Sequence, residues 1–512
     1  MPLWSKLRGL WVFWFTVLLA TPAAAVDPAT GIDWEIKHRF RVVREHRHDA
    51  FIVDYNSYLQ RAAGRQGLDI PSGRLMRYPS PFRQNLPTHY LPEEAQYRHS
   101  WFHSDEREII VRLPSQQEAR KRCAWSVDGA RALTAACSEP VTLPVTLGAR
   151  QLSVQVDAQD GSPPAERRLT IVVKDLKIVA LGDSFASGEG NPHVTSLGSP
   201  AARLVEWWDH RCHRSLIGSS AQAAVALAQQ RRDTSVTYVS FACSGATIDV
   251  GILKAYAGRE TAEQARDRLG KAGIGPVAHF REENLPPQMD RIEDLLCAQR
   301  IAGSCLRRVR PDILVITTGG NELDFGPLVA QCAAGGCTFP KQEMDRRFAQ
   351  LDRLFAALAE RVKPLEARQV YLSGYLDMTK NERGLFCGDQ PFDFRPDFVP
   401  SWLTVFGFGI ARAEGRGAYS KVLKPLEERL ARYAGNNGWA NVADFRRDRG
   451  FCARPNWFHT YAQARDKQGF IGVIGGDEQF LDDIPTGAMH PNVFGHSEVG
   501  GRLLKAIQAS GQ

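Results

Sequence analysis

Apolar runs of strand length alternate with helical periodicity along the C-terminal two-thirds of the chain. Five such runs, each followed by turn residues, predict strands buried on both faces: Ile178–Leu181, Val236–Phe241, Ile313–Thr317, Gln369–Leu372 and Trp439–Ala443. Helix-like stretches lie between them: Ser219–Gln230, Pro287–Arg300, Glu343–Val362 and Ala418–Tyr433. This alternation predicts a three-layer α/β/α fold for residues 175–512, in which helices cover both faces of a five-stranded parallel sheet. In such sheets, functional residues gather at the carboxyl ends of the strands.

Between residues 105 and 174 the pattern changes to short runs in which apolar and polar residues alternate. The β-rich runs there are separated by turn residues such as Asp128-Gly129: Ile109–Leu113, Val141–Val145, Leu152–Val156 and Leu169–Val173. Because Cys123, Trp125 and Cys137 fall among them, the segment resembles a small all-β, immunoglobulin-like sandwich. We expect a structural role for it, with an accessory surface facing carbohydrate as the alternative.

The first 25 residues have the layout of a secretory signal. Lys6 and Arg8 precede an apolar run at residues 9–20. The alanines at residues 23–25 then offer the small side chains at which a signal peptidase cuts. The apolar run is too short for a membrane span, which takes about 20 residues. We therefore predict that residues 1–25 are a signal peptide and that the protein is secreted or periplasmic.

The composition is that of an ordinary globular protein. Of 512 residues, 43% are hydrophobic and 24% charged, and 64 Lys+Arg against 57 Asp+Glu give a formal charge of +7. The polar segment 26–104 carries a short basic run, Lys37–Arg41, which we expect to be a solvated face, and we assign the segment no chemistry. Without a longer basic block we expect no nucleic-acid partner. Without a later run of 18 apolar residues, we expect no transmembrane segment after signal removal.

The cysteines agree with export. There are ten, all outside the predicted signal: Cys123, Cys137, Cys212, Cys243, Cys297, Cys305, Cys332, Cys337, Cys387 and Cys452. An even number in an exported chain indicates disulfides. Pairing in sequence order would give separations of 14, 31, 8, 5 and 65 residues, but the sequence alone does not choose among the pairings. No pair has C-x-x-C spacing, so we expect no zinc site.

Ser184 directly follows the first predicted strand of the α/β region. That strand ends in Gly182-Asp183-Ser184, and Gly188 and Gly190 follow within a few residues. A serine on such a turn exposes its hydroxyl where the first amides of the next helix favour negative charge. This arrangement suits a nucleophile whose attack creates an oxyanion. A phosphate-binding loop or a plain turn would have the same local pattern.

Three further turns carry residues that fit the same chemistry. Gly245 follows the second predicted strand, and Asn321 follows two glycines after the third. His490 lies near the C-terminus, before the last predicted helix. Because the carboxyl ends of parallel strands meet at one edge of a sheet, we expect these residues to lie close to Ser184.

The order of these turns resembles that of a known family. The chain is similar to the SGNH (GDSL) hydrolases, whose four sequence blocks match, in order, Gly182-Asp183-Ser184, Gly245, Gly319-Gly320-Asn321 and His490. The resemblance covers about residues 176–510 and extends, through the cysteine-containing stretches, to the family's secreted, disulfide-bonded esterase and lipase branch. That branch implies three pairings: Cys212 with Cys243, Cys297 with Cys305, and Cys387 with Cys452.

The resemblance implies a role for each matched residue. Ser184 would be the nucleophile, and His490 the general base that takes its proton and then protonates the leaving alcohol. The amides of Ser184 and Gly245 and the side chain of Asn321 would hold the oxyanion. Asp183 would fix the turn by accepting backbone N–H bonds. No cofactor or metal is implied.

The sequence departs from the family pattern beside the histidine. The family often carries Asp three residues before it, where this chain has Gly487. We therefore predict that a backbone carbonyl orients His490, with Asp482 or Asp483 as the alternative. His496 is a second candidate base, but it lies six residues later and falls in the last predicted helix.

Two other features are expected to carry no chemistry of their own. Glu322 stands where the family usually has Asp, and we expect the change to matter little. Residues 209–213 contain Asp, His and Cys and could suggest a metal site, but a disulfide at Cys212 would remove that ligand.

Together these features predict an exported serine hydrolase that cleaves carboxylic esters through an acyl-serine intermediate. The aromatic segment Pro391–Ile410 could line an acyl site, although we expect it to be core, so acyl lipids and O-acetylated carbohydrates both stay open as substrates. The alternatives are a non-catalytic carbohydrate- or surface-binding protein on a hydrolase scaffold, and an acyltransferase. A binding protein would have no need to retain all four matched blocks.

Overall fold

The computed structural model describes residues 26–43, 100–158, 163–192, 207–209, 211–259, 284–333, 336–387, 412–460, 463–464 and 487–511. The predicted signal, residues 44–99, Pro391–Ile410, Asp482 and Asp483 lie outside these residues. The chain divides into two compact units. The smaller one contains Glu108–Val145 and Ala149–Ile171 with residues up to Glu35, and the larger one is built mainly from the chain after Val172.

The secondary structure elements are numbered in chain order. The strands are β1 (Asp33–Ile36), β2 (Phe40–Val42), β3 (Glu106–Arg112), β4 (Arg122–Val127), β5 (Leu133–Ala136), β6 (Val141–Thr146), β7 (Gly148–Val156), β8 (Ala165–Gly182), β9 (Thr234–Ser240), β10 (Cys297–Ile301), β11 (Ser304–Arg308), β12 (Ile313–Thr317), β13 (Gln369–Ser373) and β14 (Ala440–Val442). The α-helices are α1 (Ser100–His103), α2 (Ser184–Ser187), α3 (Ser219–Gln230), α4 (Gln288–Leu296), α5 (Phe325–Ala333), α6 (Lys341–Val362), α7 (Arg412–Ala418), α8 (Lys424–Asn437) and α9 (Val493–Ala509).

A parallel sheet organises the larger unit. Among the described residues the parallel part of this sheet has six strands in the order β14–β13–β12–β8–β9–β2, and every neighbouring pair is parallel. Each of the five strands predicted from the apolar runs is present. Four of them lie within a few residues of their predicted bounds, whereas β8 begins at Ala165 instead of Ile178 and also contains the separately predicted strand Leu169–Val173. The chain leaves β8 for β9 on one side and later returns to β12 on the other. The carboxyl end of β8 is therefore a topological switch point, where ligands bind in open α/β sheets.

The sixth strand, β2, was not predicted. It contains Phe40 and Arg41, which belong to the basic run expected to be solvated, and both side chains are buried. The expectation is wrong for these two residues because β2 pairs with β9 at the edge of the sheet. A strand of three residues in a polar segment is too short to establish a hydrophobic period.

Helices pack on both faces of this sheet. Along β8, Val179 and Leu181 belong to one apolar cluster, with side chains of α4, α6 and α8. Ile178 and Ala180 belong to a second cluster, with side chains of α3 and α9. The alternation follows from the strand, whose successive side chains point to opposite faces. The predicted α/β architecture, a mostly parallel sheet with helices, is confirmed.

The predicted helices are present, but one of them ends early. The stretch Pro287–Arg300 stops being helical at Cys297, which begins the antiparallel hairpin of β10 and β11. Ala302 and Gly303 turn this hairpin with φ values of 47° and 82°, and the disulfide from Cys297 to Cys305 closes it. No helix in the described stretches combines the length and apolar content needed to cross a membrane.

The smaller unit is built from strands. β1, β3 and β6 form one sheet. β4 pairs antiparallel with both β5 and β7, and β7 also pairs with β8. Trp125 on β4 is fully buried, and Cys123 is bonded to Cys137, the residue after β5. The bridge joins neighbouring strands of one sheet, whereas that of an immunoglobulin domain joins two sheets.

The disulfides follow sequence order. Four lie within the described residues: Cys123–Cys137, Cys212–Cys243, Cys297–Cys305 and Cys387–Cys452. Cys337 is also disulfide-bonded. The side chain of Cys332, its neighbour in sequence order, lies outside the described part of the chain. The three bridges implied by the esterase and lipase branch are all among the four.

Candidate active site

Ser184 stands on a tight turn at the carboxyl end of β8. Gly182 has φ +143°, and a Cβ there would lie 2.0 Å from the carbonyl oxygen of Thr317 on β12, so only glycine fits. Asp183 caps α2, because its Oδ1 accepts the amide of Phe185 at 2.9 Å. The turn places Ser184 at the edge of the sheet where the sequence predicts a functional site.

Gln288, the first residue of α4, fixes this turn, and sequence reasoning missed it. Its buried side-chain amide pairs with the backbone of Gly182: Oε1 accepts the N–H and Nε2 donates to the carbonyl, both at 2.9 Å. This double contact holds the last residue of β8 in place. A single glutamine 106 positions away carries no recognisable sequence signal.

The imidazole of His490 lies against Ser184. Its Nε2 is 2.8 Å from the serine Oγ, and its Nδ1 is 3.2 Å from the carbonyl oxygen of Ala488. When Nδ1 carries the proton and donates it to that carbonyl, Nε2 offers a lone pair to the serine hydroxyl. The two side chains thus have the geometry of a nucleophile and its general base. Asp482 and Asp483, the alternative orienting groups, lie outside the described residues.

The turn that carries His490 is held by backbone pairing and by a helix cap. His459 donates its N–H to the His490 carbonyl at 2.9 Å and accepts the amide of Met489 at 3.0 Å. Asn492 then caps α9, because its side chain accepts the amide of Phe494 at 3.0 Å. These restraints fix the backbone from which the imidazole projects.

Gly245 presents its amide on the turn after β9. Its φ is +81°, a conformation that favours glycine, and a Cβ there would lie 2.5 Å from the hydroxyl oxygen of Tyr256, which would have to shift. The amides of both neighbouring residues donate to carbonyls. Within the described residues, the amides of Gly245 and Ser184 have no acceptor. Such unsatisfied donors beside a nucleophile are the groups that stabilise an oxyanion.

The side chain of Asn321 supplies a third N–H group on the turn after β12. Its Nδ2 donates one hydrogen to the carbonyl of Ala246 at 2.8 Å, which leaves the second for a ligand. The next residue, Glu322, accepts the amide of Ile248 with its carboxylate, and burial raises the pKa of that carboxyl. Glu322, which was expected to matter little, therefore helps to hold Asn321 against the Gly245 turn.

Tyr375, after β13, connects two of these turns and was not predicted from the sequence. Its hydroxyl oxygen accepts the N–H of Gly320 at 2.9 Å, and its O–H donates to Oδ2 of Asp183 at 2.5 Å. The ring packs edge-on against Phe185, with centroids 4.9 Å apart. Burial raises the pKa of Asp183 to about 7 against the effect of the Tyr375 hydrogen bond, and the charge of Glu322 adds to the rise.

Glu189, which follows α2, forms a buried acid–histidine pair with His213. Nδ1 of His213 is 3.0 and 2.9 Å from the two carboxylate oxygens of Glu189, and Trp207 stacks on the imidazole at 4.5 Å. Burial pushes the pKa of Glu189 upward. The charge and hydrogen bond of His213, with smaller contributions from His490 and Ser244, outweigh burial and hold that pKa well below its usual range. Glu189 therefore stays ionised.

The other residues of the stretch 209–213 have partners of their own. Cys212 is bonded to Cys243, and Asp209 forms an ion pair with Arg214. His210 lies outside the described residues. Across the described part of the chain, no group of three or more His, Cys, Asp or Glu side chains has a metal-binding arrangement.

His496, the second candidate base, lies on α9, and its side chain is buried. Its Nδ1 is 2.8 Å from Oγ of Ser219 on α3. Burial lowers its pKa to about 3, and the nearby His490 adds to the effect. The imidazole that contacts Ser184 is that of His490.

An apolar cavity opens beside Ser184 and Asn321. The space in the cavity and at its mouth amounts to about 970 Å³, part of which is open solvent. Its walls come from the residues after β13, from the start of α5, and from the π-helical turn Tyr419–Leu423 that joins α7 to α8.

Comparison with known proteins adds little to this geometry. No family model matches the chain, and no curated protein matches it. Among solved structures it is similar to the lipase Lip_vut3 from a goat rumen metagenome, at 12% identity and a TM-score of 0.27, over 65% of this chain and 97% of that one. A similarity this low supports no conclusion about family or activity.

Proposed function

We propose that the chain is an exported serine hydrolase of the SGNH type, which cleaves carboxylic esters through an acyl-serine intermediate. The observation that carries the proposal is the 2.8 Å contact between Nε2 of His490 and Oγ of Ser184. Three N–H groups support it, one on the turn of Ser184 itself and two on the neighbouring turns, as does the order of the four matched sequence blocks. In this proposal residues 1–25 are the signal, 105–174 an accessory immunoglobulin-like module and 175–512 the hydrolase domain.

In the first half of the reaction, Oγ of Ser184 attacks the ester carbonyl carbon while its proton passes to Nε2 of His490. The carbonyl oxygen becomes an oxyanion, which accepts hydrogen bonds from the amides of Ser184 and Gly245 and from Nδ2 of Asn321. The tetrahedral intermediate then expels the alcohol, which takes the proton from His490. The acyl group is left on the serine as an ester.

In the second half, water attacks the acyl-serine, with His490 now accepting a proton from the water. A second tetrahedral intermediate forms at the same three donors. When it collapses, the carboxylic acid leaves and Ser184 recovers its proton from the imidazolium. The reaction consumes one water and needs no cofactor.

A backbone carbonyl takes the place of the usual carboxylate partner of the histidine. The carbonyl of Ala488, 3.2 Å from Nδ1 of His490, selects the tautomer in which Nε2 is unprotonated. Its partial negative charge also stabilises the imidazolium that forms during each half of the reaction. We therefore assign a Ser–His dyad rather than a triad.

Export is supported by the disulfides. The four bridges among the described residues would not persist in a reducing cytosol. Together with the predicted signal over residues 1–25, they support a secreted or periplasmic protein whose partners are ester substrates.

The proposal is tested with p-nitrophenyl esters, by comparing the oxidised mature chain with its Ser184→Ala variant. We expect hydrolysis by the native protein and a loss of at least about 10³-fold in kcat in the variant. Equal circular dichroism spectra would show that both are folded. Absence of turnover by the folded native protein on every ester would instead favour a binding protein. Turnover only when an alcohol or a sugar is supplied as acceptor would indicate an acyltransferase.

A further inference from the structure

We infer that the cavity beside Ser184 binds an aliphatic acyl chain of several carbons, so that the substrates are esters of medium- or long-chain fatty acids. The inference rests on the proposed ester hydrolysis and extends it to the acyl group. It decides between the two substrate classes that the sequence left open, acyl lipids and O-acetylated carbohydrates.

The chemistry of the walls is the first argument. The cavity is lined almost throughout by aliphatic and aromatic side chains, among them Leu323, Phe325, Leu376, Val422, Leu426 and Met489. An apolar chain gains free energy by leaving water for such a surface.

The polar groups in the walls are the second argument, because they already have partners. The hydroxyl of Thr379 donates to Asp377 at 2.5 Å, and the carboxylate of Glu414 accepts the amide of Cys337 at 3.0 Å. The Tyr375 hydroxyl is likewise bonded at both sides, as described above. Sugar hydroxyls placed against the apolar side chains that make up most of the lining would lose their bonds to water without replacement, at a cost of about 1–3 kcal/mol each.

The position of the cavity is the third argument. Ser184 and Asn321 themselves form part of its lining, so an acyl carbon bonded to Oγ has the apolar space directly beside it. The lining also includes Ala418 and Val422, which lie at the end of α7 and in the π-helical turn. Such π-turns often occur at functional sites. Here the turn brings Val422, a buried residue, to the cavity wall.

The test measures kcat/KM for p-nitrophenyl acetate, butyrate, hexanoate and octanoate. We expect kcat/KM to rise along the series by up to roughly fourfold for each methylene that enters the cavity. Ala418→Phe and, separately, Val422→Phe place a bulky ring in the lining of the cavity, and each should lower the octanoate-to-acetate ratio at least tenfold. Leu306→Phe is the matched control: it adds the same ring at an exposed site on β11 and should leave the ratio unchanged.

The outcomes separate this inference from the proposed function. If hydrolysis depends on Ser184 but acetate is the best ester, or if both wall variants leave the octanoate-to-acetate ratio of the native protein unaltered, the acyl-chain assignment is wrong while ester hydrolysis stands. If the folded native protein hydrolyses none of the four esters, the proposed function fails and the inference fails with it. Two wall variants are used so that one that does not fold leaves the other to decide.

Discussion

Tyr375 donates a hydrogen bond to the carboxylate of Asp183 at 2.5 Å, although the two residues follow different strands, β13 and β8. The same hydroxyl oxygen accepts the N–H of Gly320, on the turn after β12. One phenol group therefore sets the spacing between the turn of Ser184 and the turn of Asn321. In our account Tyr375 is a positioning residue, which acts through the groups that it aligns.

We predict that Tyr375→Phe lowers kcat about 10- to 100-fold with little change in KM, because the ring still packs while the two turns lose their common partner. Tyr371→Phe is the matched control. It removes a hydroxyl from β13 that is 2.8 Å from Oγ of Ser510. Steady-state kinetics and thermal unfolding of both variants make the comparison. A Tyr375→Phe variant that loses only stability would show that the hydroxyl is structural.

We predict that Asn321→Ala lowers kcat by about 10²- to 10³-fold, the usual effect of removing one oxyanion donor. KM should change little, because this hydrogen bond strengthens only when negative charge develops on the substrate oxygen. The measurement is kcat and KM on the best p-nitrophenyl ester. A variant with unchanged kcat would remove Asn321 from the oxyanion site.

The dyad predicts a mild effect of the two carboxylates that precede the histidine turn. Asp482→Asn and Asp483→Asn should each keep kcat within about threefold of the native value, because the carbonyl of Ala488 orients His490. Where an Asp orients the histidine, neutralising it costs roughly 10⁴-fold in kcat. A loss of that size in either variant, with folding intact, would establish a triad instead.

His496 gives a prediction about pH and stability. Its pKa is lowered to about 3 in the folded protein, whereas an unfolded histidine titrates near 6.5. Between these values the unfolded chain binds a proton that the folded chain does not, so stability falls as the pH drops below about 6.5. His496→Gln should lose this contribution, which is about tenfold in the unfolding equilibrium constant per pH unit.

The measurement is urea unfolding of the native protein and of His496→Gln at pH 7.5 and pH 5.5. The unfolding free energy of the native protein, relative to that of the variant, should be lower at pH 5.5 than at pH 7.5. A difference that is the same at both pH values would mean that His496 is not kept neutral by its burial.

The sequence predicts those secondary structure elements that have a local pattern of apolar residues. Short stretches rich in apolar residues mark the strands β8, β9, β12, β13 and β14, and α3 has the predicted bounds. β2 was missed because three residues cannot establish a period. The end of α4 was misplaced because a disulfide hairpin starts at Cys297, and neither the cross-link nor the turn at Gly303 enters a helical pattern.

Some residues of the candidate site have a local sequence pattern, and others are brought there only by tertiary structure. Glycines and polar residues directly after buried strands mark Ser184, Gly245 and Asn321, so their meeting at one edge follows from the parallel topology. Tyr375 and Gln288 lie 192 and 106 positions from the residues that they hold. Only tertiary structure brings them there, and a single tyrosine or glutamine has no motif around it.

The most direct test of the central claim is to trap the serine. The native protein is incubated with an alkyl p-nitrophenyl phosphonate, which phosphonylates an activated serine and releases one p-nitrophenol, and the modified peptide is identified by mass spectrometry. Our account predicts one equivalent of p-nitrophenol, a phosphonyl group on Ser184 and no labelling of Ser184→Ala. A folded native protein that remains unlabelled, or a label that persists in Ser184→Ala, would contradict it.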